Sequence, residues 1–353
     1  MDLFNNFFRG KKVFVTGDTG FKGSWLCTWL VELGAEVRGF ALAPKTPDDN
    51  FVKSQLNKVI RHTDGDVRDR DRLISEVEKF KPEIVLHLAA QSLVLPSYAN
   101  PAETFETNIL GTVNFFEAVR KTDSVRVALN ITSDKCYQNN EWVWGYRESD
   151  PMGGHDPYSA SKGCSELVTQ SYQKSFFSSG QCLVASARAG NVIGGGDWAE
   201  SRIIPDVFRA YFSGQELLIR NPQATRPWQF VLEPLFGYLK LTQTLHEKGR
   251  DYCGGWNFGP APGKEHSVGE VIDQIKKGVP ELKSRIANEG YKPHEASLLR
   301  LDISKALTRL NWRPLLNFEE TIQFTIEGYQ YEKAGTPLLD NRIKQIKNFA
   351  GKF

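Results

Sequence analysis

A chain of 353 residues exceeds one simple core and suits a large nucleotide-binding domain with a smaller partner. Apolar residues at 40% and a net charge of only +2 exclude a disordered chain and a basic stripe for nucleic acid. Five scattered cysteines without metal-ligand spacing, and no run near the roughly 18 apolar residues of a membrane span, predict a cytoplasmic protein with reduced thiols and neither metal nor membrane partner.

The first apolar strand, residues 11–16, enters a turn with glycines at 17, 20 and 23, then a helix over 24–33. Trp25, Leu26, Trp29, Leu30 and Leu33 recur there at helical spacing, and Gly34 ends it. Such glycines allow a tight turn, close backbone approach to a pyrophosphate and close helix–strand packing, so the turn predicts a dinucleotide site. The second strand, 36–42, ends on Ala41, Leu42 and Ala43, without the acid that commonly meets the adenosine ribose. Lys45 beyond it could face a 2′-phosphate, which leaves NAD and NADP both open at this point. The next strand ends at Asp64-Gly-Asp66-Val67, where Asp66 suits an adenine amino group.

An amphipathic helix over 70–80 follows, then a strand over 83–90. His87 within that strand reads as a packed core histidine, while Ala89 and Ala90 are small enough to lie against a cofactor. Residues 91–101 form a loop whose Ser92 and Ser97 are in reach of a sugar. The helix expected from about 102 to 121 carries Phe105, Ile109, Val113, Phe116 and Val119, a stripe suited to core packing and a helical dimer interface.

A buried strand over 125–129 then delivers Thr132, Ser133, Asp134 and Lys135 to a strand end, where open α/β sheets bind ligands. Tyr158 and Lys162 are four apart on a helix running to about 177, so they share a face. A lysine beside a tyrosine lowers the phenol's pKa and predicts a phenolate base. A second Tyr-x-x-x-Lys, Tyr329 to Lys333, lacks upstream strand-end hydroxyls and reads as ordinary amphipathic helix surface. A strand over 182–187 leads into a glycine-rich turn whose Asn191 suits a sugar or a pyrophosphate. Beyond it, short helices (204–212, 233–247, 268–278) mix with short strands (217–220, 228–231). The single cations Arg202, Arg220, Arg226, Lys292 and Arg300 suit a diphosphate better than a nucleic-acid backbone. The pattern predicts an α/β fold: a Rossmann-type doubly wound parallel sheet over 1–187, and a smaller mixed α/β substrate domain over 188–353 from which about 228–258 returns to the first.

Thr16-Gly17-Asp-Thr-Gly20-Phe21-Lys-Gly23, Asp66-Val67, Leu88-Ala-Ala-Gln91, Thr107-Asn108, Thr132-Ser-Asp134-Lys135, Tyr158-x-x-x-Lys162, Arg188-x-x-Asn191 and Asp302-Ile-Ser-Lys305 together resemble the extended short-chain dehydrogenase/reductases acting on nucleotide sugars. The resemblance runs from about residue 11 to 315. It implies NAD held by Gly17, Thr19, Gly20, Phe21, Lys22, Gly23, Asp66, Val67, Leu88, Ala89, Ala90, Tyr158 and Lys162. It also implies a nucleotide sugar held by Gln91, Ser92, Asn191, Arg202 and Arg226, with Lys292 or His294 near the pyrophosphate and Glu295 at the ribose. Tyr158, Lys162, Ser133 and Thr132 would be catalytic, and a homodimer would form through helices near 102–121 and 158–177.

An acid at 134 is similar to the 4,6-dehydratases, and lysine rather than glutamate at 135, with Trp142-Val-Trp144, resembles their branch acting on CDP-hexoses. Oxidation at C4 by way of Tyr158 acidifies the C5 proton, and losing the 6-hydroxyl as water needs an acid, for which Asp134 is placed. Lys135 is then the C5 base or an electrostatic aid to the enolate. A 4-epimerase or decarboxylase on the same scaffold is the alternative.

Overall fold

The computed structural model describes residues 3–261, 263, 265–287, 299–335 and 337–353. The apolar runs of the first half become β1 (Lys12–Thr16), β2 (Glu36–Ala41), β3 (Arg61–Asp64), β4 (Ile84–His87), β5 (Val127–Ile131) and β6 (Leu183–Ala189). Short strands β7 (Val192–Ile193), β8 (Leu217–Ile219), β9 (Thr225–Arg226) and β10 (Gln229–Phe230) follow. β11 (Gly254–Phe258) then returns to lie beside β6. The main sheet has the order β11-β6-β5-β4-β1-β2-β3, with every pairing parallel. Order reverses between β1 and β4, so their carboxyl ends open the crevice that doubly wound sheets use for ligands. Two last strands, β12 (His266–Ser267) and β13 (Ser284–Ile286), pair with β9 and β8.

Helices α1 (Phe21–Glu32), α2 (Asn50–Lys53), α3 (Arg70–Phe80), α4 (Val94–Ala99), α5 (Pro101–Phe105), α6 (Gly111–Lys121), α7 (Pro157–Ser175), α8 (Ile203–Ser213) and α9 (Leu232–Lys248) interleave with these strands. α10 (Val268–Gly278), α11 (Ser304–Arg309), α12 (Phe318–Lys333) and α13 (Leu338–Ala350) complete the chain. One face of the sheet packs on α1, α9 and α13 through Trp25, Trp29, Leu235 and Phe349. The other face packs on α3 and α6 through Leu73, Val77 and Phe116. A separate core joins α8, α10 and α12 around Phe208, Ile275 and Tyr329.

Two expectations change here. The single helix over 102–121 contains a π turn at Glu106–Leu110 between α5 and α6. Its Asn108 accepts from the Gln91 N–H and donates to the Gln91 carbonyl (each 2.9 Å) and to Ser161 Oγ (2.8 Å), so the widened turn ties the loop after β4 to α7. The second Tyr-x-x-x-Lys is not helix surface at its tyrosine. Tyr329 is fully buried, donates to the Asp197 carbonyl at 2.6 Å and stacks on Phe208 at 3.9 Å.

β11 is an edge strand, yet two of its outward backbone groups are occupied. Glu148 Oε1 accepts from the Asn257 N–H (3.0 Å), and Lys305 Nζ donates to the Gly255 carbonyl (2.6 Å) while lying over the Trp256 ring.

Glu233, in the first turn of α9, clamps the approach to α12. Its Oε1 accepts from the Leu315 and Leu316 N–H groups at 2.8 and 2.7 Å, while Oε2 has no partner among the described residues. Burial raises this carboxyl from 4.5 to about 7. The folded state therefore binds the proton more tightly than the unfolded state, and stability is lost as pH rises from about 4.5 to about 7. Glu233→Gln does not titrate, so relative to wild type it should gain on the order of 3 kcal/mol between about pH 4 and about pH 8. Denaturant unfolding of both proteins at the two pH values measures this. A difference independent of pH would refute it.

Candidate active site

The glycine-rich turn joins β1 to α1, and its three glycines serve different ends. Gly17 has φ +77°, and a Cβ there would lie 2.6 Å from the Ala89 amide. At Gly23 it would lie 2.0 Å from the Gly17 carbonyl, so α1 packs on the turn only because the residue is glycine. Gly20 is exposed, and its Cβ would touch only the Gly17 carbonyl at 3.3 Å. The space above it stays open over the start of a helix with no side-chain cap and no acid in its first turn. Free N–H groups and a positive helix end there suit a pyrophosphate. The residues present fit a dinucleotide.

Around this turn, half-buried Leu88, Ala89 and Ala90 leave the end of β4 as a low wall. Asp66 accepts from the Arg68 amide (2.9 Å) and guanidinium (2.6 Å), and buried Val67 packs where Gly111 makes room for it. Thr19 donates to the Leu42 carbonyl at 2.9 Å, and exposed Lys45 belongs to a turn gathered by Asp49. His87 is a core residue, as the sequence suggests. Its Nδ1 meets Thr16 Oγ1 at 2.7 Å, its ring stacks on Phe115, and burial pushes its pKa down to about 3.

The reaction centre gathers at the end of β5. Asp134 begins a short 3₁₀ turn (Asp134–Cys136) after Ser133, whose hydroxyl donates to Asp134 Oδ1 at 2.9 Å. Gly190, after β6, makes room for the carboxylate, since a Cβ there would lie 2.8 Å from Asp134 Oδ2. Burial raises the Asp134 pKa against the opposing pull of Lys135, Ser133 and Lys22, which favours the protonated acid. Across from it, α7 starts with Asp156 as N-cap, accepting from the Ser159 N–H, and Pro157 in the first turn. This fixes the register that buries Tyr158, Lys162 and Glu166 on one face. Ser97 supports the helix start by accepting from the Tyr158 N–H at 3.2 Å.

The electrostatics correct the sequence expectation for Tyr158. Burial raises its phenol to about 12, opposed by the Ser133 hydroxyl and Arg202, and Lys162 does not offset that burial. Lys162 is itself lowered to about 8 by burial, against the attraction of Glu166. Lys22, in the first turn of α1, is also lowered to about 8, by burial and by Arg202, and its charge is felt at Asp134.

Thr132 is corrected as well. Its hydroxyl donates to Glu166 Oε1, away from the cleft, so Ser133 is the hydroxyl beside Tyr158. Glu166 Oε2 accepts from Ser186 and from Arg188, both at 2.7 Å, and the ion pair is almost wholly buried. Arg188 continues to Tyr137 and Tyr137 to Asn257, locking β5, β6, β11 and α7 together. Sequence reasoning missed Asn108, Glu166 and Arg188 as supports. The signal for Glu166 was its place four residues beyond Lys162.

A cleft lined by Asp134, Lys135, Asn191, Thr225, Arg226, Pro227 and Leu299 opens beside the reaction centre. Arg202 lies at the edge of the site, held by Asp197 at 3.0 Å. Of the residues expected at the sugar, Asn191 and Arg226 share this cleft, and Arg202 is near enough to Tyr158 to pull its phenol's pKa down. Gln91 does not reach out, because its amide is bound to Leu93 and Thr104. Ser92 is simply exposed. Lys292, His294 and Glu295 lie outside the described residues. Among the described residues no metal-ligand cluster occurs, and no helix is long and apolar enough to cross a membrane.

A sequence model described as GDP-mannose 4,6 dehydratase matches residues 14–325. A CDP-glucose 4,6-dehydratase of Salmonella typhimurium is 46% identical over 349 residues, covering 98% of this chain and 97% of that protein. Among solved structures, an epimerase of Methanothermobacter thermautotrophicus matches with TM-score 0.80 at 24% identity, covering 97% of each chain. The dTDP-glucose 4,6-dehydratase of Bacillus anthracis in complex with NAD matches with TM-score 0.76 at 20% identity, covering 94% of this chain and 100% of that one. The structural likenesses establish the Rossmann-type fold, and the sequence match over nearly the whole length places the chain in the GDP-mannose 4,6 dehydratase family.

Proposed function

We propose that the protein is a CDP-glucose 4,6-dehydratase, an NAD-dependent hydro-lyase of the cytoplasm. The observation that carries this is Asp134, a buried carboxyl with a raised pKa beside Tyr158 at the cleft, joined to the 46% identity with the Salmonella enzyme. An epimerase needs only a base and a cofactor, whereas expulsion of the 6-hydroxyl needs a proton donor. NAD held at the glycine turn would supply the hydride acceptor for C4 and the hydride donor for C6, with no net consumption of cofactor. Tyr158 takes the 4-hydroxyl proton, and its approach is set by Ser133 and by the α7 register. Asp134 gives its proton to the leaving hydroxyl. Lys135, on the cleft wall, offers a cation to the enolate formed as the C5 proton passes to water in the cleft. Asn191, Arg202 and Arg226 receive the diphosphate side of the substrate.

A homodimer is part of the same proposal. Leu110 and Leu167, on the π turn before α6 and on α7, are 53% and 55% exposed in the single chain, and Leu95 and Tyr98 on α4 are exposed too. Those helices offer an apolar face to a second copy.

Incubation of the pure protein and NAD with CDP-, dTDP-, UDP- and GDP-hexoses, followed by mass spectrometry, tests the assignment. We expect a dehydrated keto sugar from CDP-glucose. Interconversion at C4 without loss of water would replace the reading with the epimerase.

A further inference from the structure

β2 ends on Ala41, where the usual acid for the adenosine ribose is missing. Its neighbour supplies one. Ala41 pairs with Asp64, the last residue of β3, so a carboxylate stands one strand away at the same level. Asp64 is exposed, with its side chain 68% accessible, but it is not loose, since its Oδ1 meets His62 Nε2 at 3.0 Å. The other ring nitrogen, Nδ1, meets Asp18 Oδ2 at 2.7 Å. Asp18 is the second residue of the glycine-rich turn and is fully buried, and its Oδ1 has no partner among the described residues.

β2 is shaped to let this line of groups pass beneath the turn. A Cβ at Gly39 would lie 2.0 Å from Asp18 Oδ2, so only glycine leaves the carboxylate room. Phe51 packs on the His62 ring with centroids 5.0 Å apart. Burial works against a charged ring, but the hydrogen bonds and charges of Asp18 and Asp64 outweigh it and hold His62 above the ordinary histidine value. Burial raises the Asp18 pKa against the pull of His62, so the outward negative charge of the array rests on exposed Asp64. Ribose hydroxyls can donate to such an edge. A 2′-phosphate is repelled by it.

We propose that Asp64, aimed by His62 and backed by buried Asp18, selects an unphosphorylated adenosine ribose, doing from β3 what the absent acid does from β2. The proposal rests on the reading of the glycine turn as a dinucleotide site. Equilibrium titration of the cofactor-stripped full chain with NAD and with NADP, followed by tryptophan fluorescence and calorimetry, tests it without recourse to turnover. Wild type should favour NAD. Asp64→Asn should move the NAD-to-NADP affinity ratio toward NADP by about tenfold, the worth of one partly screened charge near a phosphate. Asp18→Asn should move it the same way by less, because Asp18 acts through His62. His62→Gln should weaken NAD without improving NADP, because Asp64 loses its orientation while keeping its charge. Asp64 is exposed, so its substitution remains informative even where Asp18→Asn does not fold. An unchanged ratio in Asp64→Asn would overturn the proposal and leave the dinucleotide site intact. Failure of wild type to bind either nucleotide would overturn the site along with it.

Discussion

Asparagine in place of Asp134 should yield an enzyme that oxidises C4 and stops there. The amide is nearly isosteric and keeps the bond from Ser133, so the turn after β5 is preserved. Burial raises this carboxyl's pKa, so a neutral amide at the same place works with the surroundings rather than against them. What disappears is the transferable proton, and loss of a positioned general acid costs a factor on the order of 10²–10⁴ in the step it serves. Rapid quenching followed by mass spectrometry should show a 4-keto hexose that retains its 6-hydroxyl. Dehydration at an unchanged rate, or equal loss of both steps, would remove Asp134 from the acid role.

Tyr158→Phe should act one step earlier. The ring still packs on α7, whose start is fixed by Asp156, Pro157 and Ser97 rather than by the phenol. Cofactor affinity in an equilibrium titration should therefore change little. Formation of the ketone should fall by a factor on the order of 10²–10⁴, the worth of a positioned general base. In the protein alone, burial holds the phenol near 12, so the proton acceptor is scarce at neutral pH. Wild-type oxidation should accordingly quicken as pH rises toward that value, while the Phe variant should lack this rise. An identical pH profile in both proteins would exclude Tyr158 as the base.

Much of this site was legible because its parts are local. Buried parallel strands are apolar runs, and the glycines between β1 and α1 and the four-residue spacing of Tyr158 and Lys162 lie within single stretches of chain. The supports were harder to see because they are assembled across distance. Glu166 and Arg188 meet from α7 and β6, and only the packed sheet shows that their ion pair takes up the Thr132 hydroxyl. Asp18 and His62 are 44 residues apart and communicate across Gly39. The phenol's pKa failed in the other direction. Proximity to lysine is readable from spacing, but the depth of burial that outweighs it is not. Tyr329 carried the same four-residue signature as Tyr158, and its position in the core behind Asp197 was set by α8 and α12 packing.

The plugged rim of β11 bears on how copies of this chain can meet. An open parallel sheet invites a foreign strand to add itself, and in a concentrated solution such additions propagate into fibres. Here two of the backbone groups that would receive the newcomer are already held by Glu148 and Lys305. The opposite rim, β3, is only four residues long, with Arg61 and Asp64 exposed at its ends. Growth by strand addition is blocked at one margin and discouraged at the other, so ordered association is left to the helical faces. With Glu148→Ala and Lys305→Ala together both groups are freed, and light scattering of the concentrated double variant should show growth that the wild type lacks.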